Sequence, residues 1–138
     1  MRNIVLDTNC LIQMLSRHST AYFGWQSFRA EKYVLCVSNE IISEYTEIIG
    51  QLASPTVAEN VVNAILHAPN ARMFDPHFHF ELIKSDPDDN KFVDCAIIAN
   101  ADYIVSNDSH FNVLADTPFP ELHVKRLQEF LDDIRNQK

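Results

Sequence analysis

Residues 85–111 read SDPDDNKFVDCAIIANADYIVSNDSHF. The opening SDPDDN (85–90) is a turn rich in acids, and it leads into KFVDCAIIANA (91–101), apolar on nearly every side and therefore a buried helix. YIVS (103–106) follows as a β-branched apolar run that stops at Asn107 and Asp108, which is how a buried strand ends. A buried helix feeding a strand with no polar alternation is the unit of a parallel sheet covered on both faces.

The same unit recurs on working outward. NIVL (3–6) is an apolar strand stopping at Asp7, and TNCLIQML after it carries apolar residues at helical spacing. Thr20 to Tyr33 reads as helix from the spacing of Tyr22, Phe23, Trp25 and Phe28, and YVLCV (33–37) reads as strand, ending at a Ser38 suited to cap the next helix. From Glu40 to Leu52 the residues Ile41, Ile42, Tyr45, Ile48, Ile49 and Leu52 form one apolar stripe, and Pro55 opens a further helix through Leu66. ARMF (71–74) is a third strand, LHV (122–124) a last one, and a helix runs from Arg126. The class is α/β: a three-layer α/β/α sandwich around a central, mainly parallel twisted sheet of about five strands. Residues 1–138 are expected to form a single domain.

Composition narrows the function. Two glycines, six scattered prolines and no repeat argue against linkers, solenoids and disordered tails. No apolar run approaches membrane length, and MRNIVLDTN reaches an acid too soon for a signal peptide, so no membrane association is expected. Cys10, Cys36 and Cys95 are odd in number, lack metal-ligand spacing and lie in apolar stretches, as expected of buried thiols in a reducing cytoplasm. The net charge of −8 repels a phosphate backbone as a whole. Clustered carboxylates, however, are also how proteins hold divalent cations.

Ligands of open parallel sheets bind beyond the carboxyl ends of the strands, where Asp7 and Asp108 fall by counting. A lone Asp at a strand end is more often a turn former or helix cap; the pair carries the functional reading. Of the three acids in the Glu40 helix, Glu44 lies closest to the apolar stripe. Asp94 is the lone acid in its apolar helix, with Lys91 expected near the helix start, so a metal ion is the simplest partner for a buried charge there. The histidines form no triad or HExxH arrangement. His77 and His79 read as solvated, and His110, two residues after Asp108, as a residue within reach of substrate.

DTNCLI after the first strand, SNEIISEY in the Glu40 helix and above all residues 86–111 resemble the PIN-domain family of metal-dependent ribonucleases, in particular the toxin components of bacterial toxin–antitoxin systems. The resemblance runs from Arg2 to about His123. It implies that Asp7, Glu44, Asp94 and Asp108 are the four acidic positions, catalytic and metal-ligating, with Thr8, Asn9, Asp89, Asn90 and Ser106 orienting them. Cleavage of single-stranded RNA with Mg²⁺ or Mn²⁺, a small antitoxin partner and a homodimer, with the aromatics Tyr22, Phe23 and Trp25 as a candidate patch, are implied in the same way. The chain departs from the pattern at Asn107, where relatives usually carry Gly; Asn tolerates positive φ, so the same turn is expected. At Asp94 many relatives carry Glu. Three other readings stand beside this one: a non-catalytic PIN-like module, a structure-specific DNA nuclease, and a haloacid-dehalogenase-type phosphatase. The last needs a second Asp where Asn9 stands.

Overall fold

The structure, a computed structural model, describes residues 1–76, 79–83, 86–116 and 121–137. His77 and Ser85 of the readings above lie outside the described residues. Five strands, β1 (Asn3–Leu6), β2 (Val34–Val37), β3 (Ala71–Met73), β4 (Tyr103–Val105) and β5 (Val124–Lys125), form one sheet in the order β3-β2-β1-β4-β5. Every pairing is parallel. The change of direction beside β1 makes the carboxyl ends of β1 and β4 the switch point of the sheet, the place where such folds hold ligands.

The helices are α1 (Thr8–Met14), α2 (Tyr22–Arg29), α3 (Asn39–Leu52), α4 (Pro55–Leu66), α5 (Asn90–Ala99) and α6 (Leu127–Asn136). All residues of β2 and β4 are buried, and so is β1 after Asn3, so both faces of the central strands are covered. Helix α5 packs on β1, β2 and β4, and α6 packs on β5 and α2. Helix α2 approaches α1 closely at Gly24, where an added Cβ would stand 2.7 Å from Met14 Sδ. The Ser38 hydroxyl accepts from the Ile41 N–H (3.2 Å), capping α3 as read from sequence.

Two details differ from the sequence reading. The last strand pairs through Val124 and Lys125 rather than through LHV, because the ladder partners of β4 are the His123 and Lys125 carbonyls. Asn107 does not take up a left-handed turn: among the described residues other than glycine, positive φ is confined to Glu31, Glu81 and Asn100. Instead the Asn107 Oδ1 accepts from the Leu127 N–H (3.0 Å) at the start of α6, a bond glycine cannot make. Residues Ser109–Asp116, which carry no clear period, wind as a 3₁₀ helix. Cys10, Cys36 and Cys95 are buried and free, and burial pushes the Cys10 and Cys95 thiols up to about 12. Among the described residues no helix is long and apolar enough to cross a membrane.

One buried bond ties the α3 helix to the end of β1. The Tyr45 hydroxyl donates to the Leu6 carbonyl at 2.6 Å, holding the neighbouring Glu44 at the strand end. Removing it with Tyr45→Phe leaves that carbonyl without this partner, so urea denaturation should show a loss of about 1–2 kcal/mol. An unchanged midpoint would mean that α3 is held by packing alone.

Candidate active site

The register of the sheet brings the first acids together. Leu6 pairs with Val105, and the Asp7 N–H donates to the Val105 carbonyl (3.0 Å), so Asp7 and Ser106 leave the sheet side by side. The Ser106 hydroxyl donates to Asp7 Oδ2 (2.8 Å) and accepts from the Asp108 N–H (3.0 Å), linking the two strand-end acids through one side chain. Asp7 occupies the residue before α1, yet its carboxylate makes no capping bond to that helix. A capping role therefore does not account for it.

The other acids enter from helices. Thr8 Oγ1 donates to Glu44 Oε2, and Lys91 Nζ sits 2.7 Å from Glu44 Oε1, so Glu44 is aimed by one neighbour and partly neutralised by another. Lys91 is the second residue of α5, near the helix start as expected, but it serves Glu44. Asp89, at the end of the 3₁₀ turn Pro87–Asp89, faces Asp86, Asp7 and Asp108; burial and these like charges push its carboxyl up to about 6. Burial likewise raises Asp7, opposed by the Ser106 hydroxyl and reinforced by Glu44 and Asp108. One charge cluster therefore contains Asp7, Glu44, Asp89 and Asp108.

Asp94 has other neighbours. It is buried as expected, but its Oδ1 accepts from the Phe80 N–H (3.0 Å) and its Oδ2 stands 3.1 Å from His79 Nδ1. The partner that the sequence reading sought in a metal ion is the loop 79–83, and the Asp94 carboxylate in turn holds the His79 imidazole above its usual pKa. His79 is largely exposed, as read, though paired. Asn90 also holds this loop: its amide donates to the Ile83 carbonyl and accepts from the Ile83 N–H, both at 2.8 Å. Asn9 lies exposed on the first turn of α1.

His110 completes the cluster on the other side. Its Nδ1 lies 3.1 Å from Asp108 Oδ1, 3.4 Å from Asp89 Oδ2 and 3.6 Å from Asp86 Oδ2. One ligand atom from each of Asp86, Asp89, Asp108 and His110 falls within 4.8 Å of all the others. Such donors fit a divalent cation, and the raised carboxyl of Asp89 is what convergence without a cation produces. Sequence reading missed Asp86 and Lys91 as members of the site. The only available signal was their place in the acid-rich turn and the first turn of α5.

Beside Asp108 opens a cleft of about 880 Å³ whose lining includes Asn107, Phe111, Lys125 and Arg126. Cations in that wall offset locally a charge that is negative overall. The aromatics of α2 are partly occupied within the chain: Trp25 packs on Phe28 (ring centroids 5.5 Å apart), and the Arg135 guanidinium lies 4.7 Å from the Phe23 ring centre.

A parallel sheet in this order, with acids at the carboxyl ends of β1 and β4 and on α3 and the approach to α5, defines a class. The chain belongs to the PIN-domain family, whose sequence profile matches residues 3–110. In fold it is similar to VapBC2 from Rickettsia felis, as seen in the crystal structure of that protein bound to a DNA fragment from their promoter. The TM-score is 0.61, over 90% of this chain and 98% of that one, at 14% sequence identity. No curated protein matches the chain in sequence.

Proposed function

We propose that the protein is a metal-dependent endoribonuclease that hydrolyses single-stranded RNA, acting as the toxin of a type II toxin–antitoxin pair. The observation that carries this reading is the convergence of Asp7, Glu44, Asp89 and Asp108 on the switch point of the sheet. Asp7, Asp89 and Asp108 would hold the cation, with Glu44 reaching it directly or through water. Mg²⁺ or Mn²⁺ bound there lowers the pKa of a coordinated water and neutralises charge on a phosphodiester. The chain's own residues set the geometry. Ser106 locks the Asp7 carboxylate by its hydroxyl, Thr8 aims Glu44, and Lys91 keeps Glu44 ionised against three neighbouring acids.

Lys125 and Arg126, in the cleft wall beside Asp108, offer charge to the phosphates flanking the scissile bond. Water adds to the phosphorus and the 3′ oxygen leaves, giving 5′-phosphate and 3′-hydroxyl ends. A small antitoxin, a homodimer and a cytoplasmic location complete the reading. The similarity in fold to VapBC2 supports the toxin–antitoxin assignment, while the internal packing of Phe23 and Trp25 leaves less of α2 for a dimer patch.

Purified protein should cut an unstructured RNA oligonucleotide in the presence of Mg²⁺ or Mn²⁺, leave the same sequence in DNA intact, and stop with EDTA. End analysis should find 5′-phosphates. Binding without cleavage would favour a non-catalytic module, and cleavage of branched DNA in preference to RNA would favour a structure-specific DNA nuclease.

A further inference from the structure

The donor atoms best placed for a single cation are not all oxygens. Besides Asp86, Asp89 and Asp108, the group within 4.8 Å includes a ring nitrogen of His110. At metal–ligand distances of about 2.2 Å, ligands on opposite sides of one ion stand about 4.4 Å apart, so the spread needs little adjustment. The imidazole is aimed from its own backbone: the His110 N–H donates to Asp108 Oδ1 (2.9 Å), and Phe111, the next residue, is buried. Two occupants could satisfy three carboxylates around Nδ1. One is a proton on the ring, making an imidazolium; the other is a cation ligated by a neutral ring.

We propose that His110 Nδ1 is a direct ligand of the divalent ion, with Asp86, Asp89 and Asp108, and that it makes the site prefer a first-row transition ion over Mg²⁺. The inference rests on the metal-dependent reading above and deepens it. Mg²⁺ takes oxygen ligands and gives up its waters reluctantly, whereas imidazole is a favourable ligand across the transition series. Mn²⁺ binds most weakly in that series, so a preference seen with Mn²⁺ is a conservative measure. The nitrogen comes with a second consequence: ion binding must displace any proton from Nδ1.

The test is pulsed electron paramagnetic resonance of Mn²⁺ bound to the full chain, which detects a ¹⁴N nucleus in the coordination shell. Calorimetric titrations with Mn²⁺ and with Mg²⁺ accompany it. Wild type should show imidazole ¹⁴N modulation, His79→Ala should keep it, and His110→Ala should lose it. His110→Ala should also weaken Mn²⁺ at least about 10-fold while changing Mg²⁺ less than about 3-fold. Mn²⁺ bound to wild type without ¹⁴N modulation, or modulation that survives His110→Ala, overturns the proposal and leaves the nuclease reading standing. Failure of wild type to bind Mn²⁺ at all overturns both. Should His110→Ala not fold, as judged by circular dichroism, the wild-type spectrum decides alone.

Discussion

Asp89→Asn should lower the rate of RNA cleavage at least about 100-fold, while Asp94→Asn lowers it by less than about 10-fold. The two aspartates sit five residues apart in one stretch of sequence, but the structure gives them different work. The Asp89 carboxylate faces Asp7, Asp86 and Asp108, so an amide there removes a charge from the cation's immediate surroundings. Asp94 faces a separate cavity of about 540 Å³ with Glu40, His79 and Lys91. An asparagine at position 94 still accepts from the Phe80 N–H and loses only the charge opposite His79. The comparison needs initial rates on one fluorogenic RNA, with both variants verified as folded. Near-wild-type cleavage by Asp89→Asn together with collapse in Asp94→Asn would return the third acidic position to Asp94 and sink the site proposed above.

The physical reason this choice could not be made from sequence lies in a loop. Asp94 reads as a buried acid without a partner because its partners, His79 and the Phe80 backbone, come from an irregular segment whose course no periodicity reveals. Burial was legible; what relieves it was not. Asp89 read as a polar companion of Asn90, yet the two diverge: Asn90 turns to Ile83 and Asp89 to the acids, a difference set by one step of rotation at the start of a helix.

Strong periodicities and caps fared better. Helix α4 begins at Pro55 and ends at Leu66 as read, and the apolar runs 3–6 and 103–106 became β1 and β4 with at most one residue of difference. The pairing of Asp7 with Asp108 followed from strand ends alone. Short edges resisted: β5 has two residues, and its place is set by the carbonyls that β4 offers rather than by its own side chains.

Metal-free protein should gain stability as the pH is lowered from 7 to 5, and Asp89→Asn should remove most of that gain. A carboxyl whose folded pKa is raised prefers to be neutral in the folded state, so its ionisation destabilises the fold above that pKa and the penalty fades as pH falls through it. For Asp89 the window runs from about 6 down toward the model value of 3.8. A shift of that size corresponds to at most about 3 kcal/mol, less to the extent that water still reaches the group. Asp7, raised in the same direction, adds to the effect. His79 does too, since a raised imidazole stabilises the fold at low pH and loses that contribution as pH rises through its folded value. Asp133, lowered by its bond to Arg2, acts oppositely but only below its unfolded value, outside the window. The diagnostic quantity is therefore the difference between wild type and Asp89→Asn, in which the His79 contribution cancels. At pH 7 the apo variant should melt several degrees above apo wild type, the reverse of most substitutions at partly buried positions. Mn²⁺ at one hundred times its Kd should then stabilise wild type by about 2.7 kcal/mol and the variant much less. If Asp89→Asn melts below apo wild type at pH 7 and both gain equally from Mn²⁺, the acids do not converge on a common cation.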